Sequence, residues 1–323
     1  MKVLLIGMLG HSGSIYGAKT PYELVGIARG CTEENPAPLQ KNAADRGIPY
    51  FDDPVAAMDA LRPDAAVINT VYAYNGKLAI EALNRGIHVY CEKPVATEPA
   101  RLAQVEEAAS KSDALLFAML TARFESHFYT AKKLIDAGTI GKLRIMTGQK
   151  SYKLGTRPDF YADRALYGGT IPWVAIHSLD QLLWLSGEGF ESVSAYHSSL
   201  DNGDNGTMER TCVMNMRLTG DILAASTADF LRPEKAPTHG DDRIRVAGLN
   251  GVIEVRGGEV YLTDAEHDGL TPLPKEEPEQ IFDCFLRLCA DPEARKDPLY
   301  RDISAIEATR LGLALRDSAD ANR

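Results

Sequence analysis

A regular alternation of short apolar runs and helical segments along the first 120 residues constrains the fold more than any other feature. The runs are nearly continuous instead of alternating with polar residues, which favours strands covered on both faces of a sheet. They occupy residues 3–6, 24–28, 65–69, 87–90 and 114–119. The helical segments between them stop at glycines such as Gly47 and Gly86. This βαβ order predicts a parallel, doubly wound sheet.

After about residue 120 the pattern changes to longer strand-like stretches. Thr219-Gly220 and Asn250-Gly251 separate pairs of these stretches and favour hairpins. We expect helices at 172–186, 277–289 and 303–316, and a surface loop at 232–242. The chain is therefore predicted to be α/β. A Rossmann domain would span 1–120, and an α+β domain with a mainly antiparallel open sheet would span 121–323, with the last helix free to pack back on the first domain.

The balance of 35 basic and 45 acidic residues gives a formal net charge of −10. This charge argues against a nucleic acid or an anionic membrane as partner. It is compatible with a neutral substrate, and with an anionic cofactor bound by backbone N–H groups and a local Arg. Without a long apolar run or a signal-peptide pattern, we expect a cytoplasmic protein. The five scattered cysteines and seven histidines show no metal-ligand spacing, so we expect reduced thiols and no metal.

Three glycines with the spacing G-x-x-G-x-x-G follow the first predicted strand directly. Glycines there allow a sharp turn and let backbone N–H groups approach a pyrophosphate, aided by the dipole of the following helix. That helix must be short, because Thr20-Pro21 follows soon after. The alternative is an ordinary strand-to-helix turn. The loop residues predicted to contact a cofactor are Gly7, Leu9, Gly10, His11, Ser12 and Gly13.

Arg29 follows the second predicted strand, where an acidic residue would bond the ribose hydroxyls of NAD. An Arg can instead pair with the 2′-phosphate of NADP. We therefore expect NADP in preference to NAD, the alternative being a solvent-facing Arg29 without a role. Thr70 ends the third strand and is predicted to contact the cofactor, while Tyr72 and Asn75 follow it and would contact the cofactor edge or form a surface loop.

Glu92-Lys93-Pro94 closes the fourth predicted strand, and Glu92 and Lys93 are predicted to contact the cofactor. Ligands bind at the carboxyl ends of parallel strands. Pro94 restricts Lys93 to an extended backbone, and Glu92 can hold the Lys93 ammonium by charge. The Lys93 side chain can hydrogen-bond a substrate hydroxyl and relay its proton.

The chain resembles the Gfo/Idh/MocA oxidoreductases, the glucose–fructose oxidoreductase and inositol dehydrogenase family, over nearly its whole length. The resemblance rests on the glycine loop, the strand ending at Thr70, the H-V-x-C-E-K-P segment, and R-I-R-V-A-G-L-N-G-V-I-E-V at 243–255. It implies a Rossmann domain followed by an open sheet that often forms the oligomer interface, and hence a homodimer or homotetramer. It also implies that Lys93 contacts both nicotinamide ribose and substrate.

The segment 168–180 resembles the family's second site segment, a glycine-rich turn and a helix. The resemblance makes His177 a catalytic or substrate-binding residue, and the ordinary histidine pKa of about 6.5 suits proton transfer near neutrality. Trp173 stands where many members carry an Asp, so the usual His–Asp dyad is missing. Trp173 offers a flat apolar face to a sugar ring, and Asp180 neighbours His177 on the helix. The alternative for Trp173 and His177 is a structural role in the core.

Several further side chains are candidates for the missing carboxylate's role or for substrate contact, and the sequence does not choose among them. They are Tyr152, Asp159, Tyr161 and Tyr167, with Arg157 as a candidate for substrate contact.

These observations predict an NAD(P)-dependent dehydrogenase or reductase acting on CH–OH groups of a sugar or polyol. Hydride would pass between nicotinamide C4 and a carbinol carbon, while Lys93 and His177 move the hydroxyl proton. Two alternatives stay open, because fold alone does not separate them. One is a non-catalytic ligand sensor on the same fold. The other is an enzyme that uses bound nicotinamide transiently for epimerisation, elimination or glycoside cleavage.

Overall fold

A computed structural model describes residues 1–322, which divide into two compact units. Unit 1 consists of Met1–Met119, Ala165–Gly168 and Glu279–Thr309. Unit 2 consists of the remaining described residues. The strands are β1 (Lys2–Ile6), β2 (Glu23–Ala28), β3 (Tyr50–Phe51), β4 (Ala65–Ile68), β5 (His88–Cys91), β6 (Leu116–Ala118), β7 (Leu143–Lys153), β8 (Phe190–Ser198), β9 (Thr211–Leu218), β10 (Ile222–Arg232), β11 (Gly240–Gly248), β12 (Val252–Arg256) and β13 (Glu259–Thr263). The helices are α1 (Ala37–Arg46), α2 (Pro54–Leu61), α3 (Tyr72–Leu83), α4 (Pro99–Ser110), α5 (Ser126–Asp136), α6 (Arg164–Tyr167), α7 (Ile176–Ser186), α8 (Ile281–Ala290) and α9 (Ile306–Ala321).

Unit 1 contains the predicted parallel sheet, in the order β3-β2-β1-β4-β5-β6 within the described residues. The central strand β4 is buried along its whole length, which explains its continuous apolar sequence. The two-residue strand β3 was not predicted, because it is too short to show a pattern. After the glycine loop comes only a 3₁₀ helix, Ser12–Gly17, in agreement with the short spacing before Thr20-Pro21.

Helix α8 belongs to unit 1, although it follows the long second half of the chain. Its aromatic rings pack on those of the parallel sheet: Phe282 and Phe285 each lie 5.1 Å from the Tyr90 ring, centroid to centroid. The Asp283 carboxylate accepts the backbone N–H of Lys19 at 2.9 Å. The predicted single domain boundary at residue 120 does not assign α8 to unit 1, because the contacts that place it there join residues far apart in sequence.

Unit 2 contains an open sheet in the order β13-β12-β11-β7-β10-β9-β8 within the described residues. Neighbouring strands are antiparallel except β7 and β10, so the sheet is mainly antiparallel, as predicted. The hairpins at Thr219-Gly220 and Asn250-Gly251 are confirmed. Helix α7 packs on one face, where Ser178 Oγ lies 2.7 Å from Ser226 Oγ on β10.

One loop prediction was wrong in part, and one loop alternative is excluded. Residues 240–242 begin strand β11 and do not form part of a surface loop, because they pair with β7, Asp242 opposite Lys150. Tyr72 and Asn75 lie in the first turns of α3 and are buried, so the surface-loop alternative for them is excluded.

Among residues 1–322 we find no helix with the length and apolar character that crossing a bilayer requires. Within the same residues, no group of three or more His, Cys, Asp or Glu side chains is arranged to hold a metal ion.

Candidate functional site

The glycine loop in unit 1 combines two tightly enclosed glycines with one open one. Gly7 and Gly10 have left-handed φ angles of 72° and 55°. A Cβ at Gly7 would overlap the Asn69 carbonyl, 2.8 Å from its carbon, and one at Gly10 would overlap the Glu92 carboxylate, 2.6 Å from Cδ. A Cβ at Gly13 would meet no protein atom within 4 Å. The protein's own packing therefore requires the first two glycines, whereas the space at Gly13 is open.

Several donors of the loop are bonded within the protein. The backbone N–H of Leu9 donates to the Asn69 carbonyl at 2.8 Å, and the Asn69 side-chain Nδ2 donates to the Leu9 carbonyl at 2.9 Å. The hydroxyl of Ser12 donates to the Met8 carbonyl at 3.1 Å. These bonds fix the loop against the end of β4. Asn69 was not among the predicted site residues, although its place at the end of an apolar run marks it as a polar group at the carboxyl edge of the sheet.

The Glu92 side chain bonds both the glycine loop and the backbone of Lys93, the residue that follows Glu92. Its buried carboxylate accepts the backbone N–H of His11 at 2.6 Å, His11 Nδ1 at 2.8 Å and the backbone N–H of Lys93 at 3.0 Å. Burial raises the pKa of Glu92, but the electrostatic attraction and hydrogen bonds of His11, with the charge of Lys93, outweigh it and leave the pKa lowered. The carboxylate is therefore ionised at neutral pH.

Lys93 is fully buried, and the Lys93–Pro94 peptide bond is cis. Asn75 from α3 holds the backbone on both sides of Lys93, because its Nδ2 donates to the carbonyls of Glu92 at 3.0 Å and of Pro94 at 3.1 Å. The structure thus gives Asn75 a positioning role for Lys93 beside its predicted role as a cofactor contact.

In the segment after β2, the Glu34 side chain is buried, whereas Arg29 lies nearer the surface. Arg29 Nη2 donates to the carbonyls of Thr32 and Glu34. The Glu34 carboxylate is buried and accepts the backbone N–H of Gly30 at 3.0 Å, and burial raises its pKa. Thr70 packs so closely on Gly30 that a Cβ at that glycine would overlap it.

In unit 2, a π-helical turn, Ile171–Ala175, leads into α7 and carries Trp173, while His177 lies in the first turn of α7. Both side chains are buried. Asp180 lies one turn further and forms a buried ion pair with Arg123, whose Nε donates to Asp180 Oδ2 at 2.9 Å and whose Nη2 donates to Oδ1. The predicted substrate contact of Asp180 does not fit a carboxylate enclosed in this way, because both of its oxygens are bonded to Arg123.

Most of the tyrosine candidates, with Arg157 and Trp173, come together in unit 2. The Arg157 guanidinium lies 4.6 Å from the Phe230 ring and 5.7 Å from the Tyr161 ring, and the Tyr161 ring meets Trp173 edge-on at 6.3 Å. We call this group the Arg157 cluster. Its members are Tyr152, Arg157, Tyr161, Trp173, Phe230 and His239.

Two of the candidates lie apart from the Arg157 cluster. Tyr167 belongs to unit 1, where its ring lies 6.2 Å from that of Tyr72. Asp159 is exposed in a 3₁₀ turn, Asp159–Ala162, next to the cluster in sequence.

A glycine loop at the carboxyl end of the first strand of a parallel sheet, with a polar Glu-Lys pair closing β5, defines unit 1 as a Rossmann-type nucleotide-binding domain. Residues 1–120 match the family model described as "Oxidoreductase family, NAD-binding Rossmann fold", and residues 128–254 match the GFO/IDH/MocA C-terminal domain. The chain belongs to the GFO/IDH/MocA oxidoreductase family, which confirms the family that its motifs indicated.

Individual relatives support the same assignment. The chain is 27% identical to the myo-inositol 2-dehydrogenase of Thermotoga maritima over 68% of its own length and 65% of that enzyme, so the match spans slightly less than two thirds of the relative. It is 29% identical to the inositol 2-dehydrogenase of Rhizobium meliloti, over 76% of this chain and 70% of that enzyme. A solved structure of a Thermotoga maritima protein described as an oxidoreductase has a TM-score of 0.91 and 38% identity, covering 100% of this chain and 99% of that one.

Proposed function

We propose that this protein is an NAD(P)-dependent dehydrogenase that acts on a CH–OH group of a sugar or polyol. The observation that carries the proposal is the buried Glu92 carboxylate, which bonds the glycine loop through His11 and the backbone N–H of Lys93 at the same time. A loop that cradles a cofactor and a lysine that handles a proton must keep a fixed geometry for hydride transfer to be efficient. One ionised side chain supplies that connection here.

The residues of unit 1 fit a dinucleotide. The open space at Gly13 leaves room for a close-approaching pyrophosphate, while the enclosed Gly7 and Gly10 keep the turn sharp. Loop residues 7–13 would hold the pyrophosphate, and Thr70 and Tyr72 would lie at the cofactor edge. Nicotinamide, when bound, supplies or accepts the hydride at C4.

Lys93 is the proposed proton-transfer group. In the reducing direction its ammonium gives a proton to the forming hydroxyl oxygen, and in the oxidising direction the amine takes that proton back. Asn75 and Glu92 fix its backbone so that the side chain does not swing away from the reacting oxygen. His177 is proposed as a second proton-handling residue on the strength of the family motif.

We infer that NADP is preferred over NAD. The support is that Glu34, the nearest buried acid, is turned toward Gly30, whereas the Arg29 guanidinium is held by two carbonyls at the end of β2. Michaelis constants for both cofactors test this inference. A lower constant for NAD in the wild type, unchanged in Arg29→Ala, would contradict it.

Substitution of Lys93 tests the catalytic proposal. Lys93→Ala should lower kcat by about a hundredfold or more, since general acid–base groups contribute that much. The exposed Lys111 offers a matched control, and Lys111→Ala should behave as wild type. Turnover is measured as nicotinamide absorbance with myo-inositol and D-glucose, and cofactor affinity by fluorescence titration. A near-normal kcat in Lys93→Ala would refute the proton-transfer role of Lys93. The absence of any cofactor binding to the wild type would favour a ligand sensor. Formation of product without a net change in absorbance would favour transient use of the nicotinamide.

We also propose that the protein is a homo-oligomer that associates through the outer face of the unit 2 sheet. This face exposes large apolar side chains that lie side by side: Leu223 pairs with Ile145, and Tyr196 with Val213. Each is 45–58% exposed. Large apolar side chains exposed on one sheet face are typical of a protein interface. Leu223→Glu should convert the dimer or tetramer to a monomer in sedimentation velocity, and a wild-type monomer would contradict the proposal.

A further inference from the structure

Arg157 is a cation without a counter-charge. Among residues 1–322 no carboxylate lies within ion-pair distance of its guanidinium, and its Nε is buried without a hydrogen-bond partner. Its Nη2 donates to a backbone carbonyl, that of Lys153, and the flat faces of Phe230 and Tyr161 lie against it. The buried Nε–H without a partner costs free energy, and a cation that no carboxylate neutralises attracts an anion. The missing partner is therefore expected from outside the chain.

Two lysines near Arg157 have partners of their own. Lys150 is neutralised by its ion pair with Asp242. The ammonium of Lys153 bonds the backbone carbonyl of Glu234 at 2.7 Å. Like Lys153, the Arg157 guanidinium donates to a backbone carbonyl, so it keeps its positive charge available to an anion in a chain whose net charge is −10.

His239 does not supply a compensating negative charge, and it adds no positive one. Burial lowers its pKa, and the positive charges of Arg157, Lys150 and Lys153 lower it further, so the imidazole is neutral at pH 7. Its ring stacks on Tyr152 at 4.8 Å and closes one side of the Arg157 cluster.

The cluster is continuous with the helical segment that carries His177. Tyr161 bridges Arg157 and Trp173, and Trp173 precedes His177 by four residues. The rings of Trp173 and Tyr161 are buried, whereas Tyr152 is half-buried and His239 is exposed, and the accessible ring faces of these two suit the C–H face of a sugar ring. The Arg157 cluster thus combines a surface for a sugar ring with one uncompensated cation.

We propose that Arg157 binds a carboxylate of the substrate, and that the substrate is a sugar acid, such as a hexuronic acid, and not a neutral polyol. The inference rests on the proposed dehydrogenase function and specifies its substrate class. A planar guanidinium matches a planar carboxylate through paired hydrogen bonds. A phosphate ester, which carries about −1.5 to −2 charges at pH 7, exceeds the single charge that the cluster offers.

Matched substrates test the proposal, because glucose and glucuronate, or galactose and galacturonate, differ only at C6. The wild type should show a kcat/KM about ten- to a hundredfold higher for the acid of each pair, as expected for hydrogen bonds to a charged group. Arg157→Gln should lower kcat/KM for the acid at least tenfold more than for the neutral sugar, and Arg157→Lys should lose less. Arg256 also stacks on a tyrosine, at 4.2 Å from the Tyr261 ring, so Arg256→Gln is the matched control and should keep the wild-type ratio.

Direct binding separates this inference from the dehydrogenase proposal. In calorimetry with NADPH present, glucuronate or galacturonate should bind the wild type and not a folded Arg157→Gln protein, with folding checked by circular dichroism. Arg157-dependent binding without turnover would support the inference and count against the dehydrogenase. Turnover without preference for acids, or no binding of either acid, would overturn the inference. Preference for glucose 6-phosphate over glucuronate would overturn the assignment of a carboxylate.

Discussion

Replacement of Gly10 by alanine should destabilise unit 1 strongly. Gly10 has a φ of 55°, a left-handed conformation that costs a residue with a side chain about 1–2 kcal/mol. The added Cβ would also overlap the Glu92 carboxylate, 2.6 Å from its Cδ. Glu92 cannot move away without breaking at least one bond to His11, and hydrogen bonds to charged groups are worth about 1.5–3 kcal/mol. The two contributions together predict a decrease in the free energy of unfolding of about 2.5–5 kcal/mol.

Gly13→Ala is the matched control, because a Cβ there meets no protein atom and the backbone has no left-handed φ. It should leave stability unchanged or raise it by about 0.4–1 kcal/mol, while weakening cofactor affinity if a pyrophosphate fills the open space. Urea unfolding should be followed by far-UV circular dichroism, since both tryptophans, Trp173 and Trp184, lie in unit 2 and do not report on unit 1. Equal stability of the Gly10→Ala and Gly13→Ala proteins would refute the reasoning.

Three further predictions follow from the buried polar contacts. Asn75→Ala removes both bonds that hold the backbone around Lys93, so kcat should fall about tenfold, corresponding to about 1.4 kcal/mol, in steady-state assays with cofactor affinity retained; an unchanged kcat would contradict the positioning role. Because the pKa of Glu92 is lowered in the folded state, its ionised form contributes stability that is fully present above the ordinary carboxyl pKa of about 4.3 and is lost as pH falls through the lower folded-state pKa. Glu92→Gln should therefore weaken the acid dependence of the free energy of unfolding measured in urea. The same acid dependence in both proteins would show that Glu92 is not its source. Asp180→Ala leaves Arg123 buried without its carboxylate and should lower the free energy of unfolding by about 3–5 kcal/mol, with Asp180→Ala/Arg123→Met regaining part of it; a change below about 1 kcal/mol would show that the pair is not structural.

The parts of the fold that depend on local pattern could be predicted from the sequence. The strands of the parallel sheet, the glycine loop and the hairpin at Asn250-Gly251 each leave a signal within a few residues. The strand β3 left none because two residues show no period. Residues 240–242 looked like loop because they are polar, yet pairing with β7 satisfies their backbone.

The candidate site was predictable only in its motifs. Lys93 and Glu92 were found from their place at a strand end, but the partner of Glu92 is His11, 81 residues earlier. The pairing of Asp180 with Arg123 spans 57 residues and turned an expected substrate ligand into a structural group. Contacts of this length depend on how elements pack in three dimensions, and no spacing within one segment reveals them.

The carboxylate shared by His11 and Lys93 has a consequence for redesign of the nucleotide loop. Residues 10, 11 and 92 depend on one another, because a larger residue at 10 needs a shorter side chain at 92. A shorter side chain at 92 would in turn lose its hydrogen bonds to His11 and Lys93. Transplanting the loop into another sheet without its distant glutamate would carry over the glycines but not what anchors them. Engineers who wish to reshape the nucleotide loop in this chain should therefore exchange these three positions together.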